Sequence, residues 1–453
     1  MKIIKRIAQF LLFLLTLIIV SLPFFIRPLD DTPYQKMPFY NEMMQRLNSF
    51  PPPSMDEMPE NDLLVGWAKV NMTPTFAVPT AGYGKRAGKA INVVHDSLFA
   101  RAFFLKQGAS VAYIVSCDLL IIPPEVRLQV QQDLAAIGVS WEQIFIGATH
   151  THNSMGAWGK RYIGELFAGK YDQNVVNLIS VSIVSAVKNA QQNAQISTLT
   201  FQKTDAHEFV FNRLVKEKGT IDPFVRLLSF TQKGGKRAAL VTFSAHSTTL
   251  SDSVMQLSRD YNGLLVDNLE QKEGYDEAVF MAGCVGSMGP NEPTNMTDWQ
   301  QAKFMADGIE NKIDANFVTD KTLTDKQLRT ETIPLSVREP QWRFAENWCF
   351  RHWLWSKLYG DYAAEIKVLR VGNVLMVGLP CDFSGELMKP LEEYAAAKGT
   401  RLIVTSFNGG YVGYITKDEH YNLNKYETRM MNWFGPGNGA YLSEVVLKII
   451  DKI

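Results

Sequence analysis

Residues 111–153 read VAYIVSCDLLIIPPEVRLQVQQDLAAIGVSWEQIFIGATHTHN, and this stretch decides the fold. A β-branched run at 111–115 predicts a strand, and apolar positions spaced three to four apart predict a helix over 124–137. A second apolar run at 143–146 predicts another strand, which is followed at once by His150 and His152. A strand, a helix and a strand in this order are typical of α/β proteins.

The same alternation continues along the chain. Further strands are predicted at 239–243, 278–281, 374–377 and 402–404, and further helices at 175–192, 299–315, 385–398 and 441–451. The pattern predicts an α/β fold, with one large catalytic domain over residues 61–453 that contains a mixed sheet flanked by helices.

The N-terminus has the features of a membrane segment. Lys2, Lys5 and Arg6 precede an apolar run over 10–26, and Arg27 follows it. The run is close to the length that spans a bilayer as helix, and its positive flank should stay cytoplasmic, which places the rest of the chain outside the cytoplasm. Because no small-residue cleavage site follows, we expect residues 1–28 to be an uncleaved signal anchor rather than a signal peptide.

Composition limits the remaining possibilities. The 46 basic and 46 acidic residues balance, so nothing indicates a nucleic-acid partner. Residues 29–60 are rich in proline, methionine and acidic residues, and we expect a stalk there. Four cysteines without CxxC spacing do not form a disulfide framework, and disulfides and the oligomeric state are left open.

Polar residues that directly follow apolar runs are candidates for a site, because ligands bind beyond the carboxyl ends of strands in such folds. They are Asp118, His150, His152, His246, Ser287, Asp382, Tyr411 and Tyr414. Histidines at strand ends with a carboxylate nearby predict a catalytic zinc site with an open position for water. The competing interpretation is two ordinary loop histidines, because alternate residues of an extended chain point to opposite sides. His207, His352 and His420 are interpreted as structural or surface residues, and His95 is ambiguous.

Several separated motifs, in order along 64–441, resemble the catalytic domain of neutral ceramidases. They are Gly82-Tyr83-Gly84, the stretch 95–104, Thr149-His150-Thr151-His152, Asn212-Arg213, Ala245-His246, Pro290-Asn291 and 411–427. The resemblance implies zinc ligands at His150, His246, Asp382 and Tyr414, with His152, Arg213 and Tyr426 lining the amide site. Asp382 stands where the family has a glutamate, and its carboxylate remains a competent ligand.

The resemblance also implies two departures. The family's active-site serine aligns with Gly283, so Cys284 and Ser287 are the nearby nucleophile candidates. We also expect the chain to be without the family's C-terminal β-sandwich domain. With the serine missing, we expect water activated by zinc to cleave an N-acyl lipid amide of the sphingolipid type, with His152, Arg213 and Tyr426 assisting.

Three alternatives remain. The first is a metal hydrolase of another amide or ester, such as an N-acyl amino acid or an envelope component. The second is an amidohydrolase-type barrel, which also places His-x-His after a strand. The third is a binding homologue that has lost catalysis, motivated by Gly283 and Asp382.

An aromatic cluster extends over 342–359, comprising Trp342, Phe344, Trp348, Phe350, Trp353, Trp355 and Tyr359. It is interpreted either as core packing or as an apolar wall or membrane-facing lip, because indole favours the membrane boundary. On the second interpretation Trp348, Trp353 and Trp355 are candidate pocket residues for a lipid-like substrate.

Overall fold

The computed structural model describes residues 2–50, 62–315 and 327–453. The helices are α1 (Lys2–Phe25), α2 (Pro38–Asn48), α3 (Pro124–Ala136), α4 (Tyr162–Ala168), α5 (Gln173–Gln192), α6 (Asp260–Gln271), α7 (Asp298–Ala315), α8 (His352–Leu358), α9 (Met388–Ala397) and α10 (Asn438–Lys452). The strands are β1 (Ile26–Pro28), β2 (Leu64–Asn71), β3 (Val78–Pro79), β4 (Ala90–Ile91), β5 (Phe99–Gln107), β6 (Ser110–Cys117), β7 (Ile144–Ala148), β8 (Gln195–Asp205), β9 (Val210–Asn212), β10 (Phe224–Gln232), β11 (Arg237–Phe243), β12 (Glu277–Ala282), β13 (Met288–Pro290), β14 (Leu328–Pro334), β15 (Arg343–Ala345), β16 (Trp348–Phe350), β17 (Glu365–Val371), β18 (Val374–Gly378), β19 (Asp382–Phe383), β20 (Arg401–Thr405) and β21 (Tyr414–Ile415).

The predicted fold class is confirmed, and the core contains two sheets rather than one. The larger has eight strands in the order β12-β11-β10-β8-β2-β5-β6-β7, and the smaller has four in the order β14-β17-β18-β20. Both sheets are mixed, because β6 and β7, β11 and β12, and β18 and β20 pair in parallel. Each of these parallel pairs sends a strand's carboxyl end toward a loop that carries candidate site residues.

The two sheets pack face to face, and helices cover their outer faces. Apolar side chains of both sheets, such as Phe103 and Met376, form one buried cluster between them. Helices α3, α5, α6 and α7 contribute to a second cluster on the outer face of the large sheet, and α2, α9 and α10 to a third on the small sheet. Sheets buried on both faces explain why their strands are almost continuously apolar.

The large sheet curls so strongly that β12 lies against β5 and β6. The Arg101 guanidinium donates a hydrogen bond to Ala278 O (3.1 Å), and the Ser116 hydroxyl donates to Phe280 O (2.6 Å). This curl brings the end of β7, at one edge of the sheet, close to the end of β11 near the other edge. The loops that carry His150 and His246 therefore meet.

The predicted stalk is wrong for residues 29–48. Phe39, Met43 and Leu47 on α2 are buried against the small-sheet layer, and both Tyr34 and Tyr40 donate hydrogen bonds to Glu444 on α10. Four-residue spacing of apolar side chains is a helical signal, and it outweighs the local proline content. Residues 51–60 of the predicted stalk lie outside the described residues.

Helix α1 stands apart from these layers. Its residues Ile3–Phe25 are apolar and unburied, and they are long enough to cross a membrane either as an anchor or as a signal sequence.

Candidate metal centre

The loop after β7 turns sharply at His150. Strand β7 ends at Ala148, and His150 has a left-handed φ of 64° while its N–H donates to Leu119 O (3.0 Å). Such a φ is uncommon for a residue other than glycine and indicates that the surroundings impose it. Because the extended chain has already turned, His150 and His152 point to the same side, and the interpretation as two unrelated loop histidines does not hold.

Three imidazoles converge at this turn. Nε2 of His150 lies 2.9 Å from Nε2 of His246 and 3.2 Å from Nε2 of His152. All three are candidates to hold one metal ion, and His150 and His246 are fully buried. Two nitrogen ligands of a tetrahedral zinc ion lie roughly 3.3 Å apart, so the cluster needs only a small expansion to accept one.

The hydrogen bonds of these rings suit a cation between them. Nδ1 of His150 faces Leu120 O (2.6 Å) and Nδ1 of His246 faces Val285 O (3.3 Å), so each Nδ1 must carry the hydrogen that the carbonyl accepts. In the neutral rings both Nε2 atoms are then bare acceptors that face each other. Burial lowers the pKa of His150 to about 3 and that of His246 well below its usual value, so an added proton does not resolve the conflict near pH 7. The residues therefore fit a bound metal ion.

A carboxylate completes the cluster. Asp382 on β19 is fully buried; among the described residues no hydrogen bond reaches its Oδ1, which lies 3.8 Å from Nε2 of His150. Its Oδ2 accepts a hydrogen bond of 2.6 Å from the hydroxyl of Tyr411. Burial raises the pKa of Asp382 to about 7, against the lowering effects of that hydrogen bond and of Arg213. An unpartnered carboxylate oxygen beside bare imidazole nitrogens is a typical arrangement for a cation site.

Tyr414 reaches the site through β21, which pairs with β19 so that Tyr414 lies opposite Asp382. The Tyr414 ring is nearly parallel to that of His246, with centroids 6.3 Å apart. Its hydroxyl accepts a hydrogen bond of 3.1 Å from Arg213, which also forms an ion pair of 3.0 Å with Glu427. The four residues expected to be metal ligands thus lie next to one another, and His152 belongs with His150 and His246 to the group that could hold one ion.

The other two residues of the expected amide site are also here. Arg213 is fixed between Tyr414 and Glu427, and Tyr426 packs edge-on against the Tyr414 ring at 5.7 Å. Tyr426 is partly exposed, and burial raises its pKa above the usual value, so its hydroxyl keeps its proton. Tyr426 and His152 both line the two pockets described below.

Two residues that sequence reasoning missed as site residues hold the His152 loop. Arg86 is buried and donates hydrogen bonds to His152 O (2.6 Å), to the Asn153 side chain (3.1 Å) and to the carbonyl of Ser251 (3.0 Å). Gly82 has a φ of 113°, and a Cβ there would lie 2.6 Å from Nδ1 of His152. The Gly82-Tyr83-Gly84 motif was visible in the sequence, but its contact with His152 was not.

Pockets of different character open on the two sides of the cluster. We call the first the apolar pocket; it is lined mainly by Leu120, Ile121, Trp158, Ile163, Phe167, Tyr359, Tyr411, Met431 and Trp433 together with His150. We call the second the polar pocket; it contains Lys85, Arg213, His246, Asp252 and Glu427. His152, Tyr414 and Tyr426 line both, so the cluster lies between an apolar and a charged compartment.

The nucleophile candidates lie outside these pockets. Cys284 is buried with its sulfur against Met388 and Val404, and burial raises the pKa of its thiol well above the usual value. The Ser287 hydroxyl is buried against that of Ser384. A side chain at Gly283 would meet the Ser244 hydroxyl and the backbone of Phe243. Neither candidate is placed as a nucleophile, because the thiol is held protonated and both groups are sealed in the core.

The tryptophans predicted for an apolar wall are not among the residues that line the apolar pocket. Trp348 and Trp353 are exposed and do not line the apolar pocket, and Trp355 lies behind its lining residues Tyr359 and Trp433. Trp158 and Trp433 line it instead. Among the other histidines, His95 stacks on Trp299 away from the cluster, and His420 is buried beside Glu386 rather than solvated.

The sequence of this chain is similar to that of a known protein family. Residues 63–319 match the family model for the N-terminal part of neutral/alkaline non-lysosomal ceramidases, which is more than half of the chain. The chain belongs to this family. The matched range contains His150, His152, Arg213 and His246, whereas Asp382, Tyr414 and Tyr426 lie beyond it.

Solved ceramidase structures share the fold. A neutral ceramidase from Pseudomonas aeruginosa aligns with a TM-score of 0.75 and 20% identity, covering 86% of this chain and 74% of that one. A ceramidase complexed with C2 aligns with a TM-score of 0.77 and 19% identity, covering 86% and 75%. This member of the ceramidase family is therefore a hydrolase that acts on amide bonds.

Proposed function

We propose that this protein is a zinc-dependent amide hydrolase that cleaves the amide bond of an N-acyl lipid. The observation that carries the proposal is the pair of bare Nε2 atoms of His150 and His246, 2.9 Å apart beside the unpartnered Oδ1 of Asp382. His150, His246, Asp382 and Tyr414 would hold the ion, and His152 is close enough to join them. When bound, zinc supplies a Lewis acid that polarises an amide carbonyl and makes water acidic near neutral pH.

The protein's own residues supply the remaining steps. Tyr426 keeps its proton and lines both pockets beside His152, so its hydroxyl would donate to the oxygen of the tetrahedral intermediate. The His152 ring lies beside the cluster and lines both pockets, so it would take up a proton from the attacking water and pass it to the leaving amine. Arg213 would hold Tyr414 in place and face the polar part of the substrate.

The two pockets indicate how the substrate lies. An acyl chain matches the apolar pocket, since such sites are lined mostly by apolar and aromatic side chains. The amine part would then lie in the polar pocket beside Lys85, Asp252 and Arg213. This charged compartment favours a second candidate substrate, an N-acyl amino acid, over an amide with two long chains.

We also propose that α1 is retained as an anchor and that the catalytic domain lies outside the cytoplasm. The support is the positive flank Lys2, Lys5 and Arg6 before the apolar run and the absence of small residues at a cleavage position after it.

The test is hydrolysis by the purified full-length protein in detergent micelles. N-acyl sphingosines, N-acyl amino acids and acyl esters of matched chain length are compared before chelation, after chelation and after zinc is restored. We expect amide turnover that chelation abolishes and zinc restores. Absence of both bound metal and amide hydrolysis would instead favour a binding protein without catalysis.

A further inference from the structure

The membrane-length helix enters the folded domain without a linker. Helix α1 ends at Phe25 and β1 begins at Ile26, where it pairs antiparallel with β16 so that Ile26 lies opposite Phe350 and Pro28 opposite Trp348. The Arg351 N–H also donates to Phe25 O (2.9 Å). Backbone pairing of this kind fixes the end of the helix against one place on the domain, so the domain cannot stand far from the membrane.

That place is surrounded by exposed aromatic side chains. Phe24, Phe25, Phe344, Trp348 and Trp353, which we call the exit surface, are 68%, 42%, 48%, 44% and 46% exposed. The Trp353 indole donates a hydrogen bond of 2.6 Å to Phe24 O, and its ring lies 5.4 Å from that of Phe25. A group of large exposed aromatic residues marks an interaction surface, because water solvates it poorly.

We propose that the exit surface rests in the interfacial layer of the bilayer that α1 spans. Two observations select a lipid bilayer as its partner. The surface is continuous with the end of the apolar helix, so it lies wherever the bilayer ends. Its tryptophans have an apolar body and one N–H donor, which is the combination enriched at membrane interfaces.

This placement brings the apolar pocket near the lipid. Trp353 is the second residue of α8, and Tyr359, which lines the apolar pocket, directly follows this helix. Six residues of helix span only about 9 Å. Trp355 on the same helix contacts Tyr359 and Trp433 at ring distances of 4.7 and 4.8 Å. A lipid substrate would pass from the bilayer into the pocket with little exposure to water; this second step rests on the proposed hydrolase activity, whereas the docking rests only on the proposed retention of α1 as an anchor.

The docking is tested by tryptophan fluorescence of the full-length protein in phosphatidylcholine vesicles with brominated acyl chains. We expect bromines near the headgroup to quench more strongly than bromines near the chain end. The paired variant Trp348→Phe with Trp353→Phe, which keeps a ring at both positions, should lose more than half of this quenching. Trp299→Phe is the matched control, because Trp299 stacks on His95 away from the exit surface, and it should be quenched like the wild type.

Equal quenching of the paired variant and the wild type would overturn the proposal, and so would no quenching of the unsubstituted protein.

Turnover is measured separately, with a long-chain amide in the vesicles and a water-soluble short-chain amide. The variant pair Trp348→Ser with Trp353→Ser should lower turnover of the long-chain amide severalfold and leave that of the short-chain amide unchanged. Equal turnover of the long-chain amide by this pair would exclude entry beside the exit surface. Quenching without hydrolysis of either amide would mean that the docking is right and the proposed function is wrong.

Discussion

The hydroxyl of Tyr411 donates its hydrogen bond to Oδ2 of Asp382 and thereby turns Oδ1 toward His150. Groups that orient a ligand in this way contribute to metal affinity although they do not touch the ion. We expect Tyr411→Phe to weaken zinc binding by about 10-fold to 100-fold while the protein stays folded. Chelator competition measures the affinity, and an affinity equal to that of the wild type would show that the bond does not orient Asp382.

His150→Ala and His246→Ala each remove one of the two bare nitrogens. We expect both variants to lose bound zinc and to reduce kcat/KM by more than about a hundredfold, because ligands contribute at least as much as the groups that orient them. Metal analysis after dialysis and an amide-hydrolysis assay measure these losses. His352→Ala is the control, since His352 is exposed, pairs with Asp361 and belongs to neither candidate metal group, and it should keep both properties.

Gly82 leaves room for the ring of His152. Gly82→Ala puts a methyl group 2.6 Å from Nδ1 of that ring at a φ of 113°, so the ring must move. We expect kcat/KM to fall by roughly 10-fold to 100-fold, as for a small misplacement of a catalytic group. Gly84→Ala is a matched control two residues away, where the nearest atom lies 3.7 Å from the added carbon. Similar losses in both variants would point to the loop as a whole rather than to His152.

Neither Cys284 nor Ser287 is needed for turnover if water attacks the amide. Both side chains are buried outside the pockets. We expect Cys284→Ala and Ser287→Ala to keep kcat/KM within about threefold of the wild type. Loss of turnover in Cys284→Ala with bound metal retained would contradict attack by water and would return the thiol to consideration as a nucleophile.

Lys367 gives the protein a stability that depends on pH. Its ammonium group is buried between Trp141 O (3.0 Å) and the Thr332 hydroxyl (2.7 Å), and burial lowers its pKa from 10.5 to about 8 against the charge of Glu365. Between these values the unfolded chain binds more protons than the native one, so stability rises with pH.

We therefore expect Lys367→Met to remove this rise, which is on the order of 1–3 kcal/mol. Thermal unfolding midpoints of the two proteins in detergent, recorded at pH 7.5 and pH 9.5, measure it. The unfolding midpoint of the variant, relative to that of the wild type, should be higher at pH 7.5 than at pH 9.5. An equal difference between the two midpoints at both pH values would mean that the pKa of Lys367 is not lowered in the folded protein.

Much of the core follows from local patterns in the sequence. All six strands and five helices predicted from apolar spacing are present, with boundaries that differ by at most three residues. His150, His246 and Asp382 were found because each follows a buried strand, where side chains at adjacent strand ends meet. These signals lie within single segments, so one sequence is enough to detect them.

The supporting residues depend on contacts between distant segments. Arg86 appears in the sequence as part of a basic pair, and only the fold shows that it binds the loops of His152 and Ser251. Tyr411 was a candidate from its position, but its bond to Asp382 was not predictable. The error at residues 29–48 differs in kind, because the spacing of Phe39, Met43 and Leu47 was visible and the proline content was given more weight.

The packing of α2 against α10 also affects the order in which the protein can fold. Tyr34 and its acceptor Glu444 are 410 residues apart in the sequence. Strand β1 likewise pairs with β16, which lies far along the chain. Contacts at such separation form slowly because a long loop must close first. During synthesis the segment after α1 therefore stays without its partners until nearly all the described chain has been translated, and closing the small-sheet layer is a late folding step.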